Sequence, residues 1–208
     1  MISLCSGWQF AESWSEEFLS GAGAAEDVRL PHTVRELPLH YAGPEDYEML
    51  CGYRRVLHIP AEYEGKRLFL QFDGAAHIAS VFVNGRETVT HRCGYTAFRV
   101  EITGLVRYGA DNLVAVRLDC TENPAIPPFG FVIDYLTYGG LYREVWLDVR
   151  EKAYIEDVFV STPALDRARV ALTINGGEER ARVRILDGER CLAEGESAGE
   201  PIELTVPG

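Results

Sequence analysis

The 208-residue chain is poor in lysine, in paired cysteines and in long apolar runs, and each shortage excludes a class of function. Basic residues number 20 against 32 acidic ones, a net charge of −12. A phosphate backbone or an anionic membrane surface would repel such a chain, so neither nucleic acid nor membrane is expected as a partner. Only Lys66 and Lys152 are lysines; the other 18 basic residues are arginine, which we read as codon usage of the source rather than as a site. No stretch approaches the ~20 apolar residues of a membrane span. The five cysteines, Cys5, Cys51, Cys93, Cys120 and Cys191, are odd in number, far apart, and without CxxC or Cys/His metal spacing. Neither a disulfide framework nor a zinc site is expected, and buried free thiols are the reading beside apolar neighbours. Residues 1–7 are neither basic nor followed by an apolar run, and there is no Asn-x-Ser/Thr acceptor. We therefore expect no secretion signal and a reducing, cytoplasmic setting.

What is present belongs to a folded protein: 47% hydrophobic and 25% charged residues, in a chain long enough to bury a core without staples. Aromatics at 11% favour strands. The charge divides as −7 over residues 1–150 and −5 over 151–208, so no acidic tail hides in the total. Short alternating runs dominate and predict an all-β chain. Strands are expected over 53–59, 67–72, 79–83, 86–90, 98–102, 113–119 and 142–149. Asn84-Gly85 between two of them is a hairpin signal, because both turn positions need positive φ. Glu12 to Leu19 is the exception: Trp14 and Phe18, four apart, suggest a short helix. About eight strands over 150 residues predict a sandwich or jelly roll.

The charged triplet Arg150-Glu151-Lys152 marks a boundary. Beyond it, strands at 155–161, 169–174, 181–187 and 202–206 look like the start of a second sandwich. An immunoglobulin-like domain needs about 100 residues and 58 follow residue 150, so we expect 151–208 to be part of a larger domain and the chain to be a piece of a longer one.

Residues 120–140 have neither strand nor helix period, yet carry Phe129, Phe131, Tyr135 and Tyr138. A loop this long inside a compact domain is usually functional, and its aromatics argue against disorder. Its end, Asp134-Tyr-Leu-Thr-Tyr-Gly-Gly-Leu-Tyr-Arg143-Glu-Val-Trp146-Leu, resembles the end of the N-terminal sugar-binding domain of glycoside hydrolase family 2, which includes β-galactosidases, β-glucuronidases and β-mannosidases. Gly7-Trp8-Gln9-Phe10, Leu30-Pro31-His32-Thr33, Gly52-Tyr53-Arg54-Arg55, Phe72-Asp73-Gly74, Val83-Asn84-Gly85, His91 with Gly94-Tyr95-Thr96-Ala97-Phe98, and Asn112 to Arg117 resemble further family segments in the family's order.

The resemblance implies a galactose-binding-like jelly roll over 1–150 and the N-terminal part of an immunoglobulin-like domain over 151–208. It also implies a catalytic (β/α)₈ barrel that this chain does not contain. Retaining glycosidases need two carboxylates about 5–5.5 Å apart; in the family both lie on the barrel, so the chain alone is expected to be inactive. The parent would hydrolyse β-glycosides as a homo-oligomer. Asp134, seven residues before Leu141, inherits by position a contact with sugar hydroxyls, and Tyr135 and Tyr138 join it as candidate substrate-binding residues. In some β-galactosidases of the family that aspartate also helps bind sodium; sodium or magnesium is thus a cofactor of the parent, and none is expected in this piece. The family's asparagine before the Tyr-Arg strand is replaced by Glu48-Met49-Leu50-Cys51, and Cys93 stands where many members have glycine.

The remaining candidates have plainer readings. Trp8, Trp14 and Trp146 are expected in core packing. Asp73, His91, His32 and Arg143 are expected as turn-forming or buried-network residues, and His77 with His91 lacks a third metal ligand at useful spacing. Asp111-Asn112 and Glu178-Glu179 read as turn residues. An independent carbohydrate-binding module is the alternative of a different class; its support is the fold alone.

Overall fold

The computed structural model describes residues 1–127, 129, 137–177 and 179–206. The expectations for Phe131, Asp134, Tyr135 and Glu178 fall outside these described residues. The chain divides into two compact units, Met1–Val149 and Arg150–Gly208.

Among the described residues the first unit carries ten strands: β1 (Ile2–Ser3), β2 (Trp8–Ala11), β3 (Glu26–Val28), β4 (Leu50–Ile59), β5 (Arg67–Phe72), β6 (Ile78–Val83), β7 (Arg86–Arg92), β8 (Phe98–Glu101), β9 (Ala110–Asp119) and β10 (Val145–Arg150). They form a six-stranded sheet in the order β3-β2-β4-β9-β6-β7 and a four-stranded sheet in the order β1-β10-β5-β8. The fold is all-β, a β-sandwich, as the alternation predicts. Alternate residues point inward along each strand: Leu68, Leu70 and Phe72 from β5 meet Val81 and Val83 from β6 and Val114, Val116 and Leu118 from β9 in one apolar cluster. Fully burying a side chain of this kind contributes roughly 1.5–3 kcal/mol.

The Asn84-Gly85 turn forms as read. Asn84 and Gly85 have φ of 51° and 79°, and Val83 pairs with Arg86 across the two-residue turn. Asn112 corrects the reading as a plain turn residue. It is buried within β9, where its Oδ1 accepts from the Arg107 N–H at 2.7 Å and from Asn84 Nδ2 at 2.8 Å. A buried amide stays only where its hydrogen bonds are made, and here it ties the β6–β7 turn to the entry of β9.

The helix expected over Glu12–Leu19 is a short 3-10 turn, Glu16–Ser20. Ser15 caps it, its hydroxyl accepting from the Glu17 N–H at 3.2 Å, and Gly21 ends it at φ 81°. Trp14 and Phe18 do meet, ring centroids 5.8 Å apart. Phe18 packs over Gly52 of β4, and Trp14 stacks on Phe82 of β6, so this cluster covers the outer face of the larger sheet. Trp8 is the core tryptophan; Trp14 and Trp146 are only partly buried. The cysteine expectation holds for Cys51 and Cys120, which are buried, while Cys5 and Cys93 are partly exposed and Cys191 is exposed; all five are free thiols. Strands β1, β2 and β3 were too short to leave a periodic signal.

The second unit contains β11 (Tyr154–Ala164), β12 (Arg167–Asn175), β13 (Ala181–Asp187), β14 (Arg190–Ser197) and β15 (Ile202–Thr205). They make a sheet ordered β11-β12-β15 and a separate β13-β14 hairpin. Strand β14 was missed because Glu194, Gly195 and Glu196 interrupt its apolar pattern.

Candidate functional site

The site is the root of the 120–140 loop, where four separate segments converge on the strand ends. Leaving β9, the chain is held by the His77 N–H donating to the Asp119 carbonyl at 2.9 Å and the Cys120 N–H donating to the Met49 carbonyl at 2.9 Å. On its return, Gly140 exchanges two backbone hydrogen bonds with Ala76, at 3.1 and 3.3 Å. The Val34 N–H donates to the Gly139 carbonyl at 3.1 Å and the His32 N–H to the Leu141 carbonyl at 2.9 Å. The Leu30–Pro31 and Ala76–His77 bonds in the two flanking segments are both cis.

The Gly-Gly pair follows from this crowding. Gly140 has φ 129°, and a Cβ there would lie 2.4 Å from the His32 carbonyl oxygen. At Gly139 a Cβ would lie 2.6 Å from both Cβ and Sγ of Cys120. Glycine is the residue that allows such close backbone approach. Leu141, fully buried, then pins the returning chain into the core.

Side chains complete the frame. His32 Nδ1 and the Tyr53 hydroxyl are 2.8 Å apart, and the His32 ring packs 4.9 Å from Phe10. Burial pushes the Tyr53 phenol far above its ordinary range and lowers the His32 imidazole, against the opposing pull of Glu26. On the other side the Tyr142 hydroxyl donates to the Gly94 carbonyl, and the Gly94 N–H donates to the Pro127 carbonyl at 3.2 Å. Trp146 Nε1 donates to Asp73 Oδ2 at 2.7 Å, Arg143 Nη1 reaches the Asp73 and Tyr95 carbonyls, and His91 Nε2 meets Thr96 Oγ1 at 2.9 Å. Asp73, His91, His32 and Arg143 thus act as network residues.

Of the three candidate substrate-binding residues, Asp134 and Tyr135 lie outside the described residues. Tyr138 is half exposed, between buried Thr137 and buried Gly139. Two features went unread in the sequence. His77 is buried with no hydrogen-bond partner for either ring nitrogen among the described residues, and its imidazole is lowered by burial against the opposing pull of Glu122 and Asp119. Thr137 Oγ1 is likewise buried without a partner among the described residues. Position next to the Gly-Gly pair was the only signal for Thr137. Among the described residues no group of three or more His, Cys, Asp or Glu could hold a metal ion, and Asp134, the aspartate that the resemblance ties to sodium, lies outside them. The polar groups at the root hold backbone in place.

The chain matches known proteins in sequence and in fold. Residues 26–150 match the family model described as glycosyl hydrolases family 2, sugar binding domain. Over 165 residues the chain is 36% identical to a β-galactosidase of Thermoanaerobacter pseudethanolicus, an overlap of 77% of the chain and 22% of that enzyme. Over 209 residues it is 34% identical to a β-glucuronidase of Bacteroides fragilis, 93% of the chain and 29% of that enzyme. The structure aligns with a glycosyl hydrolase family 2 member from Bacteroides cellulosilyticus at a TM-score of 0.72 and 26% identity, covering 99% of the chain and 31% of the other. The chain therefore spans less than a third of the length of these relatives.

Proposed function

The chain belongs to glycosyl hydrolase family 2, and from that premise we propose that it is the sugar-binding part of a β-glycosidase of the β-galactosidase or β-glucuronidase type. In this reading it contributes scaffold and one loop to an active site whose two carboxylates lie elsewhere in the parent protein. The observation that carries the proposal is the loop root. Both ends of 120–140 are clamped by backbone hydrogen bonds to three other segments, with glycines where no side chain fits. Such a frame orients a loop for a ligand at little entropic cost on binding.

Asp134 is the proposed sugar contact, its ionised carboxylate accepting from two hydroxyls, with Tyr135 and Tyr138 beside it. A charge-assisted hydrogen bond of this kind contributes roughly 1.5–3 kcal/mol. A cytoplasmic setting suits five free thiols, and a homo-oligomeric parent completes the reading.

The test is Asp134→Ala in the full-length parent, with thermal melting as the control for folding. The expected result is a fall in kcat/KM of about 10- to 150-fold with an unchanged melt. Unchanged kinetics would remove Asp134 from the site. Turnover of an aryl β-glycoside by the 208-residue chain alone would move catalysis into this chain and overturn the scaffold reading.

A further inference from the structure

Two of the five thiols meet in the core. Cys51 Sγ, on β4, lies 3.8 Å from the Sγ of Cys120, the residue that follows β9, across a separation of 69 residues in sequence. Both side chains are fully buried in the apolar cluster of the first unit. The ladder imposes the meeting. β4 and β9 pair Leu50 with Asp119 and Cys51 with Leu118, and the Cys120 N–H donates to the Met49 carbonyl at 2.9 Å. Residues two apart along extended chain share a face, so Cys120 follows Leu118 onto the face that carries Cys51. The other three thiols, Cys5, Cys93 and Cys191, are at least partly exposed.

The contacts of the Cys120 sulfur set this pair apart from thiols that only fill a core. The sulfur lies against the Gly-Gly pair of the loop root: a Cβ at Gly139 would stand 2.6 Å from it, and a backbone hydrogen bond from Gly140 reaches it. The contact with Cys51 and burial raise the Cys120 thiol above its ordinary range, the Gly140 bond opposing them, so the group rests as a neutral thiol. A disulfide bond is about 2.05 Å long, so closing one here brings the sulfurs together by about 1.8 Å. Side-chain rotation supplies a movement of that size while the ladder holds the two backbones side by side.

We propose that Cys51 and Cys120 form a reversible thiol–disulfide site that couples oxidation to the root of the 120–140 loop. The oxidant is a small peroxide, since full burial shuts out bulky reagents. One thiol gives up its proton as its sulfur attacks a peroxide oxygen; the O–O bond breaks, and hydroxide leaves with that proton as water. The resulting sulfenic acid is attacked by the second sulfur. The S–O bond breaks, and its hydroxyl leaves with the second thiol's proton as another water. Two thiols and one hydrogen peroxide thus become one disulfide and two waters. A thiol reductant reverses the reaction by exchange. Buried thiols react slowly, so both directions wait on local opening of the strand ends. Closure moves a sulfur that both glycines touch, so the returning end of the loop registers the change. The site does not depend on the loop's proposed role, and its test uses no activity.

The test takes the unmodified 208-residue chain, alkylates the exposed thiols with iodoacetamide, and treats the folded product with hydrogen peroxide. The expected product is lighter by about 2 Da, the mass of two hydrogens. Digestion without reductant should join the peptides carrying Cys51 and Cys120, and dithiothreitol should restore the original mass. Because the bond closes a loop of 69 residues in the unfolded chain, the melting temperature of the first unit should rise by roughly 5–15 °C. Amide chemical shifts or exchange rates of Gly139 and Gly140 should change with oxidation and return on reduction. Cys51→Ala, melted beside the unmodified chain in the reduced state as a folding control, should lose the cross-link and both responses. Two thiols that survive peroxide, oxygen added to either cysteine in place of a cross-link, or a bond that reductant does not reverse would each overturn the proposal. So would a Cys51–Cys120 bond that leaves the melt and the two glycine amides unchanged.

Discussion

The two units obey the same sequence rule and reach different ends. In Met1–Val149 the inward strand faces are covered: Leu68, Leu70, Phe72, Val81 and Val116 are fully buried between two sheets. In Arg150–Gly208 the alternation is as regular, yet the best-covered apolar residues are Val170, Leu172 and Leu204, and Val158, Phe159 and Val160 remain more than half exposed. Between the β11-β12-β15 sheet and the β13-β14 hairpin runs an apolar groove of about 410 Å³, with Val158, Val160, Val170 and Leu172 on one side and Val183 and Ile185 on the other. Alternation specifies which face of a strand is apolar. Whether that face is covered depends on how many strands there are to cover it.

The largest expected effect measures that difference directly. Phe72 is fully buried and stacks on Phe98 with centroids 4.8 Å apart. Phe72→Ala should destabilise the first unit by about 3–5 kcal/mol, since transfer and cavity costs add in a closed core. Leu172→Ala, in the open groove, should cost only about 2 kcal/mol, the low end for such a change, because no closed cavity forms. Chemical denaturation followed at probes in each unit reads both values. A cost for Leu172→Ala equal to that of Phe72→Ala would mean that the second unit is closed in solution.

The same contrast explains what was legible beforehand. The long strands β4, β5, β6 and β9 announced themselves by alternation, and the Asn84-Gly85 turn by its need for positive φ. The family segments located the loop and its Gly-Gly pair. The reason for the glycines was not legible, because the atoms they make room for, the His32 carbonyl and the Cys120 side chain, are about 108 and 19 residues away in sequence. Arg54 and Arg55 looked alike as neighbours in a Tyr-Arg-Arg strand. Only the fold shows that Arg54 donates to the Ala22 and Gly23 carbonyls and Arg55 to the Leu4 carbonyl. The expected helix failed for a local reason: Gly21 ends the turn one residue after Ser20, leaving no length for i to i+4 bonds to accumulate.

A smaller effect separates the units by charge. All five histidines lie in the first unit. Burial lowers His77, His32 and His91 below their ordinary value of 6.5, in each case as the largest cause. Above pH 6.5 these rings are neutral whether the chain is folded or not. As the pH falls below 6.5 the unfolded chain binds protons that the folded one refuses, so stability declines, and it levels off once the folded values are passed. Melting temperature of the first unit should therefore drop between pH 7 and about pH 5, still above the range where ordinary carboxylates titrate. The second unit, with no histidine, should melt unchanged over that window. His77→Asn should flatten part of the slope; an identical slope would remove His77 as a contributor.

The smallest effect on stability should have the clearest effect on association. Phe159 lies on β11, an edge strand of its sheet, two-thirds exposed and flanked by exposed Val158 and Val160. An apolar edge with unpaired backbone groups is a template for pairing with another chain. Sedimentation velocity of the 208-residue chain should show concentration-dependent association over the micromolar range typical of exposed strand edges. Phe159→Ser removes apolar area that folding has not buried, so stability should change by no more than about 0.5 kcal/mol while association weakens. If the unmodified chain sediments as a monomer at every concentration, exposure in the second unit has no consequence in solution. The contrast between the units would then rest on the Phe72 and Leu172 variants alone. If Phe159→Ser instead costs as much as a core truncation, its ring is covered in solution, and the second unit has closed its sandwich with the strands it has.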